Sequence, residues 1–258
     1  MLQQSDDGAL RILTLDRPAQ RNALNLPLLK ALRAALAAAA RASAVRALVL
    51  TGAGKAFCAG ADIAEWAEAE ASGRLDSYGW TDESHSLVAE LFDFAKPTVS
   101  LLNGAAVGAG LDLALACDFR YASETARFSC AYTQMAYPPD AGGSWLLPRL
   151  VGLESAKRFV YTGEFWSAAE AKARGLITEI YPPERLSNAA IDFARRLAAG
   201  PTLALAEAKR LMQSANERDF RAQLAAERAA GQRCGQSADA KEALAAAIAR
   251  REPVFKGH

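Results

Sequence analysis

Thr98–Asp118 reads TVSLLNGAAVGAGLDLALACD. Val99–Leu102 is an apolar run that reads as a buried strand, and Asn103-Gly104 breaks it. The small residues of Gly104–Gly110 let backbone approach a ligand with no side chain in the way. Leu111–Ala116 then reads as a helix. Amides at the start of a helix have no helical acceptor and sit at the positive end of its dipole, so this turn suits an oxyanion. Asp112 follows Ala109 by three residues, which puts a carboxylate on the helix face that carries the free Ala109 N–H. The same residues also read as a tight turn that seats a helix on a sheet, and this stretch alone leaves both open.

Strand–helix alternation extends on either side. Ala9–Leu15 is β-leaning, between Gly8 and Asp16-Arg17-Pro18. Asn25 and Pro27 start a helix that the spacing carries through Leu28–Arg41. Val45–Thr51 is a second strand, closed by Gly52-Ala53-Gly54. Asp62, with Glu65 three residues on, reads as the cap of a helix over Ile63–Ala71. Ser72–Ser84, with Tyr78 and Trp80, reads as a mobile connection that helps shape a pocket. Leu87–Phe94 reads as a helix and runs into Lys96-Pro97. Short strands at Phe119–Ala122 and Ala126–Phe128 follow. The loop Pro138–Gly143 then feeds a helix around Ser144–Leu150. Glu154–Thr162 and Ala168–Arg174 are helical, and Gly175 caps the latter before Leu176–Ile180. Repeated strand–helix units mean α/β with parallel pairing. After Pro201 strand signals vanish and Ala/Leu/Glu/Arg helices run to Arg250. The expected division is residues 1–200 as core and 201–258 as a helical region.

Composition narrows the class. The 258 residues carry 30 basic and 29 acidic side chains, a net charge of +1, with no basic stripe. That argues against nucleic acid as a partner. Cys58, Cys117, Cys130 and Cys234 show no CxxC spacing, so zinc is not expected and reduced thiols are. No signal-like N-terminus and no apolar run long enough for a membrane span are evident, so the expectation is a soluble, cytoplasmic protein. No metal, flavin or nicotinamide motif is evident, and Gly104–Gly110 lacks the Lys-Ser/Thr of a P-loop.

A second amide donor is readable at Ala61, directly before the capping Asp62. Spacing does not show whether it converges with Ala109.

TGAGKAFCAGADI (Thr51–Ile63) and NGAAVGAGLDLALACD (Asn103–Asp118) resemble the two signatures of the crotonase, or enoyl-CoA hydratase/isomerase, superfamily. RPAQRNALN (Arg17–Asn25), PPDAGGSWLLPRLVG (Pro138–Gly152) and PVFKGH (Pro253–His258) are similar to its other segments, in the same order along nearly the whole chain. The Pro138–Gly152 segment is particularly similar to the ring-epoxyphenylacetyl-CoA isomerases. The resemblance implies a spiral of ββα turns with a C-terminal helical region that forms trimers, or dimers of trimers. It implies an acyl-CoA thioester substrate, with coenzyme A entering as part of the substrate and no other cofactor. The thioester oxygen would sit between the N–H groups of Ala61 and Ala109. Arg21, Ala23, Ala59, Asp62, Ile63, Gly108 and Tyr132 match segments that line the CoA and acyl path. Phe255 and Lys256 match tail residues that cover the nucleotide, sometimes of a neighbouring subunit.

The acid/base positions depart from the hydratase pattern, which pairs two glutamates around one water. The first falls on Asp112, the second on Tyr132. A phenol with an ordinary pKa of about 10 is no ready base at neutral pH. A third family position is Asp140, where isomerases that move protons along the acyl chain carry Asp. The expectation is therefore isomerisation, with Asp140 as main acid/base and Asp112 assisting. Hydration is the nearest alternative. Dehalogenation of an aryl-CoA is a third, because His85, Asp140 and Tyr132 fall where the superfamily's dehalogenases carry His, Asp and Trp. A non-catalytic RNA-binding or assembly role is a fourth. From the residues alone, Asp140 also reads as a helix cap, Asp112 as a satisfied polar group and His85 as a surface side chain.

Overall fold

The computed structural model describes residues 1–74 and 79–258. In chain order the first half contains β1 (Leu2–Asp7), β2 (Leu10–Leu15), α1 (Leu26–Arg41), β3 (Ala47–Gly52), β4 (Ala56–Cys58), α2 (Ile63–Ala71), α3 (Trp80–Phe92), β5 (Thr98–Leu102), β6 (Ala105–Val107) and α4 (Ala109–Leu115). Then come β7 (Phe119–Ser123), β8 (Arg127–Ser129), a 3-10 turn over Ala131–Met135, α5 (Gly143–Val151), α6 (Leu153–Thr162), β9 (Trp166–Ser167), α7 (Ala168–Ala173), β10 (Glu179–Tyr181) and α8 (Pro183–Ala199). Helices α9 (Thr202–Gln213), α10 (Phe220–Gly235) and α11 (Ala238–Ala249) close the chain.

Three stretches repeat one path. The chain crosses a large sheet, adds a short strand to a small sheet, and returns through helix: β3–β4–α2, β5–β6–α4 and β7–β8–α5. The large sheet has order β1-β2-β3-β5-β7-β10, and the small one β4-β6-β8-β9. Pairing is parallel except at β1/β2 and β8/β9. This is the ββα spiral that the resemblance implies.

Period-two alternation splits the large sheet's side chains between two cores. Leu10, Ala47, Val49, Val99 and Leu101 face α8, which answers with Leu186, Ala190, Ala194 and Ala198, one per turn. Leu13, Leu15, Leu48, Leu50 and Leu102 face the other way, into the core shared with α1 and the small sheet. Every residue of β5 is buried, as expected of a strand covered on both faces.

Several boundaries differ from expectation. β1 was not anticipated, because LQQSDD is polar and pairs only as an edge strand. β4 and β6 are strands that the sequence does not announce, being three residues each and rich in small side chains. The Ser72–Ser84 connection is shorter than expected. Helix α3 begins at Trp80, which is buried and donates Nε1–H to the Leu24 carbonyl at 2.7 Å. Tyr78 lies outside the described residues. Gly200-Pro201 separates α8 from α9. Among the described residues, no helix is long and apolar enough to cross a membrane.

Candidate active site

Register brings the two amides together. Cys58 of β4 pairs with Ala106 of β6, and Ala61 and Ala109 each lie three residues further on. Each amide follows a glycine at positive φ, Gly60 (91°) and Gly108 (51°). A side chain on Gly60 is excluded, since its Cβ would lie 2.8 Å from the Val107 carbonyl oxygen and 3.6 Å from Ala109 N.

Both N–H groups are left free. The Leu24–Ala61 bridge uses Leu24 N–H to Gly60 O (2.7 Å) and Asp62 N–H to Leu24 O (3.1 Å), so Ala61's own N–H points to the other side. Ala109 is the first residue of α4, where no helical acceptor exists. Neither amide has an acceptor among the described residues.

The RPAQRNALN segment braces this arrangement. Arg17 pairs with Asp62 at 2.8 Å, both side chains largely buried, and donates Nη1–H to the Ala23 carbonyl at 2.5 Å. Asp62 caps α2 by accepting from Glu65 N–H at 3.4 Å. Asn22 is fully buried and donates to Ala53 O (2.9 Å) and Ala56 O (2.8 Å), while Ala59 N–H donates to Arg21 O at 3.0 Å. Arg21 and Asn22 both sit at positive φ, 51° and 59°. Such backbone costs of order 1–2 kcal/mol per residue and persists where the surroundings impose it. The Arg21 side chain and Ile63 are exposed beside this turn.

The acid/base wall is built from α4, the 3-10 turn and the loop before α5. Asp112 is completely enclosed, and the Tyr132 hydroxyl donates to its Oδ2 at 2.6 Å. The Tyr132 ring lies against Gly108, whose Cβ would stand 4.0 Å from Tyr Cζ. Burial pushes the Asp112 carboxyl up to about 7; the Tyr132 hydrogen bond opposes this, the Asp140 charge adds to it, and the Gly143 and Ala141 amides oppose it. Neither amide makes a hydrogen bond of normal geometry to Oδ1, which has no partner among the described residues. Burial also raises Asp140, against the pull of His85 and of the Tyr132 hydroxyl. Tyr132 itself is pushed far above the ordinary phenol value, first by burial and then by the Asp112 charge.

Asp140 is not the cap of α5. That position is Gly142, and no side chain caps the helix. His85 Nε2–H donates to the Asp140 main-chain carbonyl oxygen, which commits that nitrogen as a donor. Between α3 and the start of α5 lies a cavity of about 410 Å³, lined by His85, Val88, Phe92, Ala141, Trp145 and Leu146 among others. It is almost wholly apolar, and it begins one residue past Asp140.

Phe255 and Lys256 are not brought to this site within the protomer. Arg46 Nη1–H donates to Phe255 O at 3.0 Å, and Asp239 accepts from Lys256 N–H (2.6 Å) and Gly257 N–H (2.8 Å). Arg46 precedes β3, whereas Ala61 lies beyond that strand's other end. The roles of Arg17, Asn22 and Gly143 escaped sequence reasoning. Asp62, Ala53, Ala56 and Asp112, the partners that give them those roles, lie far along the chain, and no local pattern marks them. No metal-ligating cluster occurs among the described residues.

A sequence profile described as enoyl-CoA hydratase/isomerase matches residues 6–258. The chain is 37% identical to the 2,3-dehydroadipyl-CoA hydratase of Escherichia coli K12 and 36% identical to the 1,2-epoxyphenylacetyl-CoA isomerase of the same organism, covering 95% of this chain and 94% of each relative. It is similar to a solved structure from Pseudomonas aeruginosa at 53% identity, with a TM-score of 0.85 over 88% of this chain and 97% of that one. It is also similar to an enoyl-CoA hydratase structure from Bacillus anthracis at 33% identity, with a TM-score of 0.92 over 100% and 99% of the two chains. With the ββα spiral and the paired free amides already in view, the chain belongs to the enoyl-CoA hydratase/isomerase family of the crotonase superfamily.

Proposed function

We propose that the protein isomerises an unsaturated or ring-modified acyl-CoA through a thioester enolate. The thioester oxygen binds the Ala61 and Ala109 amides, each such donor contributing roughly 3–4 kcal/mol in the transition state. Asp140 removes a proton from the acyl chain and returns it at another carbon, and Asp112 assists. Burial raises both carboxyls, Asp112 to about 7, which suits them to proton exchange. Coenzyme A is part of the substrate and no further cofactor takes part. Its path runs by Arg21, Ala23, Ala59, Asp62, Ile63 and Gly108.

The observation that carries this reading is Tyr132. It donates to Asp112, and its raised pKa prevents it from serving as a second carboxylate-like base. Hydration, which needs a water held by two acceptors, is therefore less well served. Hydration remains the second reading because the 2,3-dehydroadipyl-CoA hydratase is as similar as the isomerase. Dehalogenation is disfavoured by His85, whose Nε2–H is taken up by the Asp140 carbonyl. Phe220, Leu244, Ile248 and Val254 are highly exposed on the C-terminal segment. That supports a homo-oligomer, a trimer or dimer of trimers, in which Phe255 and Lys256 serve a neighbour's site. A cytoplasmic setting, with no nucleic-acid partner, fits the near-neutral charge.

The test is a panel of enoyl-, dienoyl- and ring-modified aryl-CoA thioesters with products identified by mass. Isomerisation leaves the mass unchanged, and Asp140→Asn should abolish it while acyl-CoA still binds. Efficient gain of one water by wild type and Asp140→Asn alike would replace this reading with hydration.

A further inference from the structure

The cavity between α3 and the start of α5 is joined to the acid/base wall by its own lining. Its Ala141 directly follows Asp140, and its His85 holds the Asp140 main-chain carbonyl. Its Gly142 precedes Gly143, which abuts the carboxyl of Asp112, three residues beyond Ala109. Val88 closes on Gly142, where a Cβ would stand 3.2 Å from Val88 Cγ1. Phe92 and Trp145 meet edge to face with ring centroids 5.2 Å apart, and Leu146 completes the apolar surface.

Size and charge narrow what fits. A cavity of about 150 Å³ holds benzene. This one has about 410 Å³, room for a substituted ring or a medium-length chain. No lysine or arginine lines it among the described residues. His85 is the titratable side chain in its lining. With Nε2–H given to the Asp140 carbonyl, the neutral ring has only an acceptor left. Arg149, the cation of α5, lies over the Trp145 ring at 3.6 Å and borders an adjoining cavity. A carboxylate carried into this lining would leave water without gaining a partner.

We propose that this cavity seats the acyl tail and selects an uncharged one, apolar ring or chain, over a tail of equal length that ends in a carboxylate. Val88, Phe92, Trp145 and Leu146 supply the apolar contact. Ala89, exposed on the rim, is a position where a cation would reverse the choice. The selection rests on the acyl-CoA substrate proposed above and not on which reaction follows.

The test uses full-length protein and thioesters without an alkene, so that binding is read apart from turnover. Calorimetry at about pH 8, above the ordinary histidine range, compares coenzyme A, hexanoyl-CoA, phenylacetyl-CoA and adipyl-CoA. Hexanoyl- and adipyl-CoA differ only in a terminal methyl against a carboxylate. Hexanoyl- and phenylacetyl-CoA should bind at least about tenfold tighter than coenzyme A, and adipyl-CoA no tighter than coenzyme A. Ala89→Lys should raise adipyl-CoA affinity about fivefold without raising that of hexanoyl-CoA. Trp145→Ala should weaken phenylacetyl-CoA about fivefold or more. Circular dichroism and native mass accompany both variants. Adipyl-CoA bound as tightly as hexanoyl-CoA overturns the selection. Hexanoyl-CoA bound no tighter than coenzyme A overturns the seat itself, and a native mass lowered by Ala89→Lys would then make this face a contact between copies of the chain. A folded Ala89→Lys and a folded Trp145→Ala that move none of these affinities place the acyl tail elsewhere. The expected affinity order in an enzyme that isomerises no enoyl thioester upholds the selection and removes the isomerase reading alone.

Discussion

Gly143 is built against Asp112: a Cβ at position 143 would lie 2.3 Å from Asp112 Oδ1 and 2.9 Å from Cγ. The carboxyl that sequence placed on α4 is thus held from behind by the first residue of α5. Gly143→Ala should force the carboxyl to turn and break the 2.6 Å bond from Tyr132. The expected result is a folded protein destabilised by about 1–3 kcal/mol with turnover lowered at least about tenfold. Urea unfolding and steady-state kinetics on the same preparation check it. Wild-type values of both would mean that the carboxyl does not depend on this contact.

Asp112 should also leave a signature on stability. Its folded pKa, about 7, stands above the ordinary aspartate value of about 3.9, so the folded state binds more protons in between. Stability from this group is full below the unfolded pKa and is lost as pH rises through the folded one, at up to about 1.4 kcal/mol per pH unit. Asp140 acts in the same direction. Asp112→Asn should flatten the stability curve between about pH 4 and about pH 7 and be more stable than wild type above it. Unfolding free energies across that range decide; parallel curves would show that Asp112 is ordinary in the folded state.

The amide pair was legible because it depends on backbone. Small residues before Ala61 and Ala109 and a helix start after each can be read from Thr51–Ile63 and Asn103–Asp118 directly. Convergence was not legible, since it depends on the Cys58–Ala106 register between strands three residues long. The Asp112–Tyr132 bond spans 20 residues and joins a helix to an irregular turn. No periodicity encodes such a pair. The tail's path was not legible for a related reason: Arg46 and Asp239, far away in the chain, hold the backbone of Phe255 and Lys256.

Arg17 links stability to the turn that carries the Ala61 amide. It neutralises Asp62, one residue from the Ala61 amide, and ties down the Ala23 carbonyl. Arg17→Met should leave Asp62 largely buried and unpaired, costing about 2–4 kcal/mol. Arg17→Lys should recover the charge but not both contacts. Turnover should fall further than acyl-CoA binding, because the amide's aim matters most as charge develops on the oxygen. Binding of an unreactive thioester measured beside kcat separates these, and equal losses in both would make Arg17 a matter of fold alone.

The Ala109 amide can be deleted with little damage to the helix it starts. Ala109 is the first residue of α4, where proline is favoured because that N–H has no helical acceptor and φ near −65° suits the turn. Ala109→Pro removes the donor and puts the ring's Cδ where the thioester oxygen would bind. The residue is 3% exposed, so the ring also presses on its surroundings, and circular dichroism with native mass must accompany the assay. Ala109→Gly keeps the N–H and is the matched control. The expected result is a fall in kcat of about 10²–10³ or more for Pro and a small change for Gly. A folded Ala109→Pro that retains most of its kcat would remove this amide from the reaction and leave the Ala61 N–H to hold the oxygen alone.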